Sequence, residues 1–468
     1  MPARQQLEVD EHEELVGRVA AIDVAKASGM VCTRVPHATK AGKRVTTVWQ
    51  VTATTNAILE LAEQLAGQGI QRVVVESTSD YWRPFVYLLE ARGLVVWLVN
   101  AHDVKHLPGR PKTDKLDAVW LCKLNERGML RPSFVPPAQI RRLRDYTRLR
   151  ADLTAERSRH KQRLEKLLED ALIKLSTVAT DIFGVSGRAM LEALIAGQRD
   201  PKVLAELARG RLRVKHARLV EALTGRFDDH HAQLARMLLD QIDALSGHID
   251  QLSSKIEQTI AALPAAQPAA SGPGGGPGAA VQAGSQPDQS TPGTVDRETG
   301  ELLAAPLPVV DRLDEVAGIG RHAAQVIIAE VGLDMGQFPT PAHLVSWARL
   351  SPRTIQSGAK HRTGGTGKGN PYLKAALGEA ATAAAKTDTF LGERYRRLVR
   401  RLGKLKALVA IARSILVIVW HLLADPTARF HDLGANYYAS RLDRDRKTRN
   451  LVHQLQALGH KVTLQPAA

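Results

Sequence analysis

Residues 263–308 limit what this chain can fold into, because a run of their composition cannot bury a core. The 46-residue run is built around Pro-Ala-Ala-Gln-Pro-Ala-Ala-Ser-Gly-Pro-Gly-Gly-Gly-Pro-Gly. Such a composition buries too little apolar surface to offset the entropy of ordering it, so disorder is expected there. A chain of 468 residues is thereby divided into parts that must each build their own core.

The part before the break changes character once. Residues 15–135 alternate strand and helix patterns. Strands are expected at 16–25, 29–35, 45–51, 72–76 and 94–99, and helices at 57–66, 82–92 and from 113 onward. Three strands followed by alternating helices and strands is the order of a ribonuclease-H-like α/β domain. Over 140–262 glycine and proline become sparse and the period becomes helical. Leu164, Leu167, Leu168, Leu172 and Leu175 mark one apolar face, and Leu238, Ile242, Leu245, Ile249, Leu252 and Ile256 step by four and three. That spacing predicts a long coiled-coil seam, closing either as an antiparallel hairpin or against a partner chain. Beyond the break, 309–430 reads as a mostly α-helical domain and 431–468 as a basic polar tail.

The apolar share, 44%, suffices for sizeable cores, and the net charge is +16. A polyanion or an anionic membrane surface is the partner that makes such an excess useful. The most apolar stretch, 407–423, is interrupted by Arg413 and His421, so a buried helix is expected rather than a membrane span. The acidic first twenty residues do not read as a signal peptide. Cys32 and Cys122 are too few for a disulfide framework or a zinc site and are expected to be buried thiols. A cytoplasmic protein with nucleic acid as its partner is the resulting expectation.

Four acids fit metal-dependent phosphate chemistry. Asp23 lies within Val-Ala-Ala-Ile-Asp-Val, and Glu76 closes Arg-Val-Val-Val-Glu. A carboxylate inside an apolar strand is costly unless a cation or hydrogen bonds offset it. Asp114 and Asp117 stand three apart at the head of a predicted helix, on one face. Oxygen donors converging in this way suit a hard cation such as Mg²⁺. Taken singly, these residues read equally as salt-bridge partners or helix-terminal charges. Asp103, between His102 and His106, is a further candidate.

The second half offers basic and glycine-rich elements. Val316-Ala-Gly318-Ile-Gly320 opening a helix resembles a helix-hairpin-helix turn, whose amides suit a DNA phosphate or simply a tight helix junction. Residues 353–374 carry Arg353, Lys360, Arg362, Lys368 and Lys374 and no acid, which reads as a flexible cationic loop. Gly367-Lys368 fails as a nucleotide P-loop, because Arg362 and Gly369 stand where glycine and a hydroxyl residue are needed. Asn370 is the expected cap of a helix starting at Pro371. Residues 391–413 hold eight Lys/Arg and one Glu, a candidate DNA-facing helix. Ser357, in the cationic loop, is a candidate nucleophile if flanking cations or a metal from another domain activate it. Ser351 and Ser346 compete with it.

The segments Ala21-Ile-Asp23-Val-Ala-Lys, Val74-Val-Glu76-Ser-Thr and Lys112-Thr-Asp114-Lys-Leu-Asp117-Ala resemble the DEDD transposases of bacterial insertion sequences. Val316-Ala-Gly-Ile-Gly320, Leu350-Ser-Pro-Arg353, Gln356-Ser-Gly358 and Lys368-Gly-Asn-Pro-Tyr-Leu-Lys374 are similar to the C-terminal domain of the same family. The resemblance spans residues 15–425. It implies a resolvase-like domain joined through a coiled coil to a transposase domain. Asp23, Glu76, Asp114 and Asp117 would then bind Mg²⁺, and Ser357 would form a phosphoserine link to DNA. It also implies donor and target DNA as partners, a structured noncoding guide RNA, and a dimer or tetramer sharing active sites between subunits. A metal-dependent structure-specific nuclease without a covalent intermediate, and a non-catalytic nucleic-acid-binding protein, are the competing readings.

Overall fold

The computed structural model describes residues 16–40, 42–77, 79–100, 113–266, 307–352, 354–357, 360–440 and 444–465. Nearly all of the Ala/Pro/Gly run lies outside them, as do Asp103 with its flanking histidines and Arg353. The chain divides into two units, 1–135 and 136–468.

The first unit is built on five strands: β1 (Val19–Val24), β2 (Ser28–Pro36), β3 (Arg44–Thr52), β4 (Arg72–Ser77) and β5 (Val96–Asn100). The order across the sheet is β3-β2-β1-β4-β5. The first three strands pair antiparallel, whereas β4 and β5 join in parallel. This mixed topology is that expected of a ribonuclease-H-like sheet. Alternation along β1 and β4 sorts their side chains to two faces. Ala20, Ile22, Val73 and Val75 pack with Ile58, Leu61 and Leu65 of α1 (Thr55–Gly67) and Phe85 and Leu89 of α2 (Trp82–Ala91). Val19, Ala21, Cys32 and Val74 face Ala118, Leu121 and Cys122 of α3 (Asp114–Glu126). Both cysteines are buried thiols, as expected.

The second unit opens with α4 (Ala138–Asp170), followed by α5 (Val185–Ile195), α6 (Pro201–Glu206), α7 (His216–Leu223) and α8 (Asp229–Ala261). The two 33-residue helices, α4 and α8, run antiparallel. Arg157 donates to Ser246 at mid-length (3.2 Å), and Asp170 at the end of α4 meets His231 at the start of α8 (3.1 Å). Helices α5–α7 fill the hairpin's closed end around Leu164, Leu168, Met190, Leu204 and Leu239. The spacing on α8 resolves into two rows. Ile242, Ile249 and Ile256 are buried, while Leu238, Leu245 and Leu252 are half-buried. On α4 the apolar face stops earlier than the leucine spacing suggests. The helix ends at Asp170, and Leu172 turns into the left-handed region (φ 63°) with its side chain 58% exposed.

Beyond the break come α9 (Val309–Asp314), α10 (Arg321–Val331), α11 (Pro341–Trp347), the strands β6 (Thr354–Ser357) and β7 (Lys360–Thr363), α12 (Pro371–Ala384), α13 (Phe390–Leu402), α14 (Lys404–Ala424), α15 (Tyr437–Ser440) and α16 (Arg444–Ala457). Helix α14 is long and apolar enough to cross a membrane by length and composition. It buries Ile411, Ile415, Leu416 and Val419 and packs against α11, α12 and α13, the placement of a core helix. The stretch read as a flexible loop forms a β-hairpin over 354–363. Its β-branched Thr354, Ile355 and Thr363 favour pairing over the flexible loop that glycines further on suggest.

Candidate active site

Asp23 and Glu76 are direct register partners on the neighbouring parallel strands β1 and β4. Both lie on the face that also carries Ala21 and Val74, the face covered by α3. Glu76 is only 4% exposed, and Asp23 is half-buried. Two carboxylates at one level of adjacent strands repel each other, so this position favours positive charge beside it.

Helix α3 carries the other two acids. Its last turn is fixed at the start of the sheet. Cys122 Sγ lies 3.6 Å from the Val19 carbonyl, and Asn125 donates to the Ala20 carbonyl (2.9 Å). Arg72 donates to Asn125 Oδ1 (2.7 Å) while its guanidinium stacks 4.0 Å over Trp97. Glu126 takes Arg34 (2.6 Å) and Arg44 (2.7 Å) from β2 and β3. Anchored there, the helix packs on the sheet through Ala118, Leu121 and Cys122, and its first turn holds Asp114 and Asp117. Thr113 caps that turn by accepting from the Leu116 amide (3.4 Å). Asp114 is exposed and Asp117 half-buried within it. An all-carboxylate set suits a hard divalent cation and offers nothing to a soft one.

Ser357 is the last residue of β6 and pairs with Lys360 across the hairpin. Arg362 and Lys368 are exposed. Lys374 is half-buried and donates to the Gly367 carbonyl, and burial lowers its pKa. Gly369 (φ 60°) packs so closely that an added Cβ would meet the Ala348 carbonyl at 2.7 Å. Gly318 (φ 92°) is tighter, with the Ala380 carbonyl 2.2 Å from such a Cβ. Packing on α12 is therefore sufficient reason for that glycine. Gly320, the α10 cap, has open space around it.

Two residues here were not singled out from the sequence. Glu330, on α10, is fully buried. It accepts two hydrogen bonds from Arg148 (2.8 and 2.9 Å), one from Asn370 (2.5 Å), and an ion pair from Arg144 (3.3 Å). Its hydrogen bond raises the pKa of Arg148. Asn370 in turn caps α12 through the Tyr372 and Leu373 amides (3.0 and 3.2 Å), and Tyr372 donates to Asp152 on α4 (3.0 Å). The segment following the serine hairpin is thus clamped onto α4. The second residue is Arg349, which holds φ 56° with its side chain against Gly367 and Gly369. A non-glycine residue in that region is uncommon and concentrates near functional loops.

Three ligand-type side chains also meet at Asp170, His230 and His231. His231 is committed as a helix cap: Nδ1 accepts from the Asp228 amide (3.1 Å) and Nε2 faces Asp170 (3.1 Å). With Nδ1 accepting, the neutral ring carries its proton on Nε2, so that nitrogen has no lone pair for a metal.

Comparison with known proteins extends this geometry. Residues 20–173 match the family model of the DEDD transposases of IS110 type, and residues 310–396 match that of the IS116/IS110/IS902 transposase family. An uncharacterized 43.6 kDa protein of the insertion element IS110 from Streptomyces coelicolor is 35% identical over 128 residues. That match covers 27% of this chain and 31% of the relative, so the chain spans under a third of the relative's length. Among solved structures, Thermus thermophilus RuvC is 14% identical, covering 25% of this chain and 99% of that one, with a TM-score of 0.21. The same protein in complex with a Holliday junction substrate aligns with a TM-score of 0.19.

Proposed function

From the premise that this chain belongs to the IS110 family of transposases, we propose that it cuts and rejoins DNA strands through a composite site. Asp23, Glu76, Asp114 and Asp117 form one half and Ser357 the other. The observation that carries the reading is the register pairing of Asp23 with Glu76 on the sheet face that packs against α3, the helix whose first turn holds Asp114 and Asp117.

The four carboxylates would hold Mg²⁺, which when bound supplies positive charge to the scissile phosphate. The Ser357 hydroxyl loses its proton as Oγ attacks phosphorus. A P–Oγ bond forms, one P–O ester bond breaks, and the freed strand leaves as a hydroxyl. Attack by a second strand's hydroxyl reverses these steps and releases the serine. Arg362 and Lys368, exposed beside the hairpin, would steer the phosphates. The charge of +16 and the family resemblance support donor and target DNA, a structured guide RNA, and a dimer or tetramer as the working assembly.

The test is trapping. The protein is incubated with element-end DNA and Mg²⁺, denatured, and examined for DNA attached to protein. An adduct lost in Ser357→Ala, with cutting weakened in Asp117→Asn at the Mg²⁺ concentration that suffices for the parent, is the expected result. Mg²⁺-dependent cutting that survives Ser357→Ala without any adduct would replace this reading with a nuclease that activates water.

A further inference from the structure

Helix α13 sorts its arginines by face. Arg396 is neutralised by Glu393 (3.0 Å) and Asp388 (3.2 Å). Arg394, Arg397 and Arg401 lie at i, i+3 and i+7 on another face, with no ion pair to an acid among the described residues. They line a pocket of about 290 Å³ with Leu398 and with Tyr438 of α15.

The pocket is built rather than incidental. Arg394 donates to the Tyr438 hydroxyl (2.9 Å), and its Nε is buried without a hydrogen-bond partner among the described residues. The Tyr438 ring has two stacking neighbours. Phe390 stacks on it at 5.4 Å and 19°, and the Arg397 guanidinium lies 4.0 Å over it. Phe390, Tyr438 and Arg397 thus pack together by ring and guanidinium contacts, with Arg394 and Arg401 lining the same pocket.

We propose that this pocket takes one nucleotide of a single-stranded nucleic acid. Arg394 and Arg401 would hold its phosphate, and the unpaired base would extend the stack on Arg397. Guanidinium planes accept bases in this way, and paired bases inside a duplex cannot reach them. Arginine suits the role because its flat, always-charged fork both stacks and binds phosphate oxygens. The inference rests on the nucleic-acid reading above but not on Ser357 or the acids.

The test therefore uses the full chain carrying Ser357→Ala. Fluorescence anisotropy follows binding of labelled oligo-U RNA, oligo-dT DNA and a duplex of equal length. Arg397→Ala and Arg401→Ala are expected to weaken single-strand binding by roughly tenfold, the loss of one stacked or phosphate-bound nucleotide. Arg397→Lys, which keeps the charge and removes the plane, behaves like Arg397→Ala. Arg400→Ala removes the same charge outside the pocket and changes binding by less than about twofold. The tighter of the RNA and DNA arms names the strand. Equal losses in Arg400→Ala and Arg397→Ala, or a duplex that competes as well as the single strands, overturn the proposal. Normal binding by the pocket variants, where the Ser357-bearing parent forms the serine adduct in the separate trapping assay, overturns this inference alone. Loss of binding by the pocket variants, where the Ser357-bearing parent never forms the adduct, overturns only the recombination chemistry.

Discussion

Replacing Glu330 with glutamine should loosen the clamp that holds the serine segment on α4. The substitution is isosteric, so it tests charge and hydrogen bonding rather than volume. Glutamine keeps one acceptor oxygen and turns an NH₂ group toward a guanidinium that can only donate. Arg148 loses a bidentate pair at 2.8 and 2.9 Å, and Arg144 loses its carboxylate at 3.3 Å. Breaking a buried ion pair from one side costs ~3–5 kcal/mol. The lower end applies here, because Arg148 keeps 32% of its side chain in solvent and its stranded charge can rehydrate. Arg144 also stays tied to the Ala329 and Glu330 carbonyls (3.0 and 2.8 Å). A loss of about 3 kcal/mol lowers the melting temperature by roughly 4–5 °C for a unit of this size. The assay is thermal unfolding of Glu330→Gln, Arg148→Met and the double variant. Removing both partners should cost less than the sum of the single changes by at least ~1 kcal/mol. A melting temperature for Glu330→Gln within about 1 °C of the parent, or strictly additive losses, would refute the clamp.

Three further outcomes are expected. Gly318→Ala forces a Cβ onto the Ala380 carbonyl at a positive φ and should cost at least ~2 kcal/mol in thermal unfolding, whereas Gly320→Ala, in open space, should cost under ~1 kcal/mol. Glu315 has its pKa lowered by the Arg429 hydrogen bond, with the Phe430 amide adding to it. A carboxyl with a depressed folded pKa stabilises above its ordinary value of 4.5 and loses that contribution as pH falls through the folded value. The stability gap between the parent and Glu315→Gln should therefore be full at neutral pH and close below pH 4.5, read as melting temperature against pH. Chelation should stop strand cutting and added Mg²⁺ restore it. Asp117→Asn should raise the Mg²⁺ needed by at least the ~10–100-fold that losing even an outer partner of a metal site costs. A variant titrating like the parent would remove Asp117 from the metal set.

The first unit was legible because its signals are local. Apolar runs at 72–76 and 94–99 can only be buried strands, and the acids stand out within them as exceptions. Strand order then follows from the connections, since parallel neighbours need a crossover and sequential antiparallel strands do not. The helical period of 140–262 was equally visible, but its termination was not. Leucine spacing carried the pattern through Leu172, whereas the helix stops at Asp170 and Leu172 adopts a left-handed turn that spacing does not encode. The hairpin at 354–363 was hidden because glycine and cationic residues dominate its surroundings, while its pairing depends on a few β-branched positions. Glu330 was invisible for a different reason. It sits in an apolar helix some 180 residues from Arg148, and nothing in either segment announces the other.

That hidden contact changes the weight of the Ala/Pro/Gly run. A 46-residue break before the transposase domain, read from the sequence, leaves that domain's position open. Within the second unit, side-chain contacts hold α10 and α12 against α4. Glu330 reaches Arg144 and Arg148, Asn370 reaches Glu330, and Tyr372 reaches Asp152, all directed at the first half of α4. Loop closure costs only about 0.6 kcal/mol for each doubling of loop length. Contacts worth several times that hold the docked arrangement against any plausible change in the run. Shortening residues 267–306 should therefore leave melting temperature nearly unchanged in a parent protein. In Glu330→Gln the same deletion should matter more, because a weakened clamp depends on the effective concentration that the tether provides.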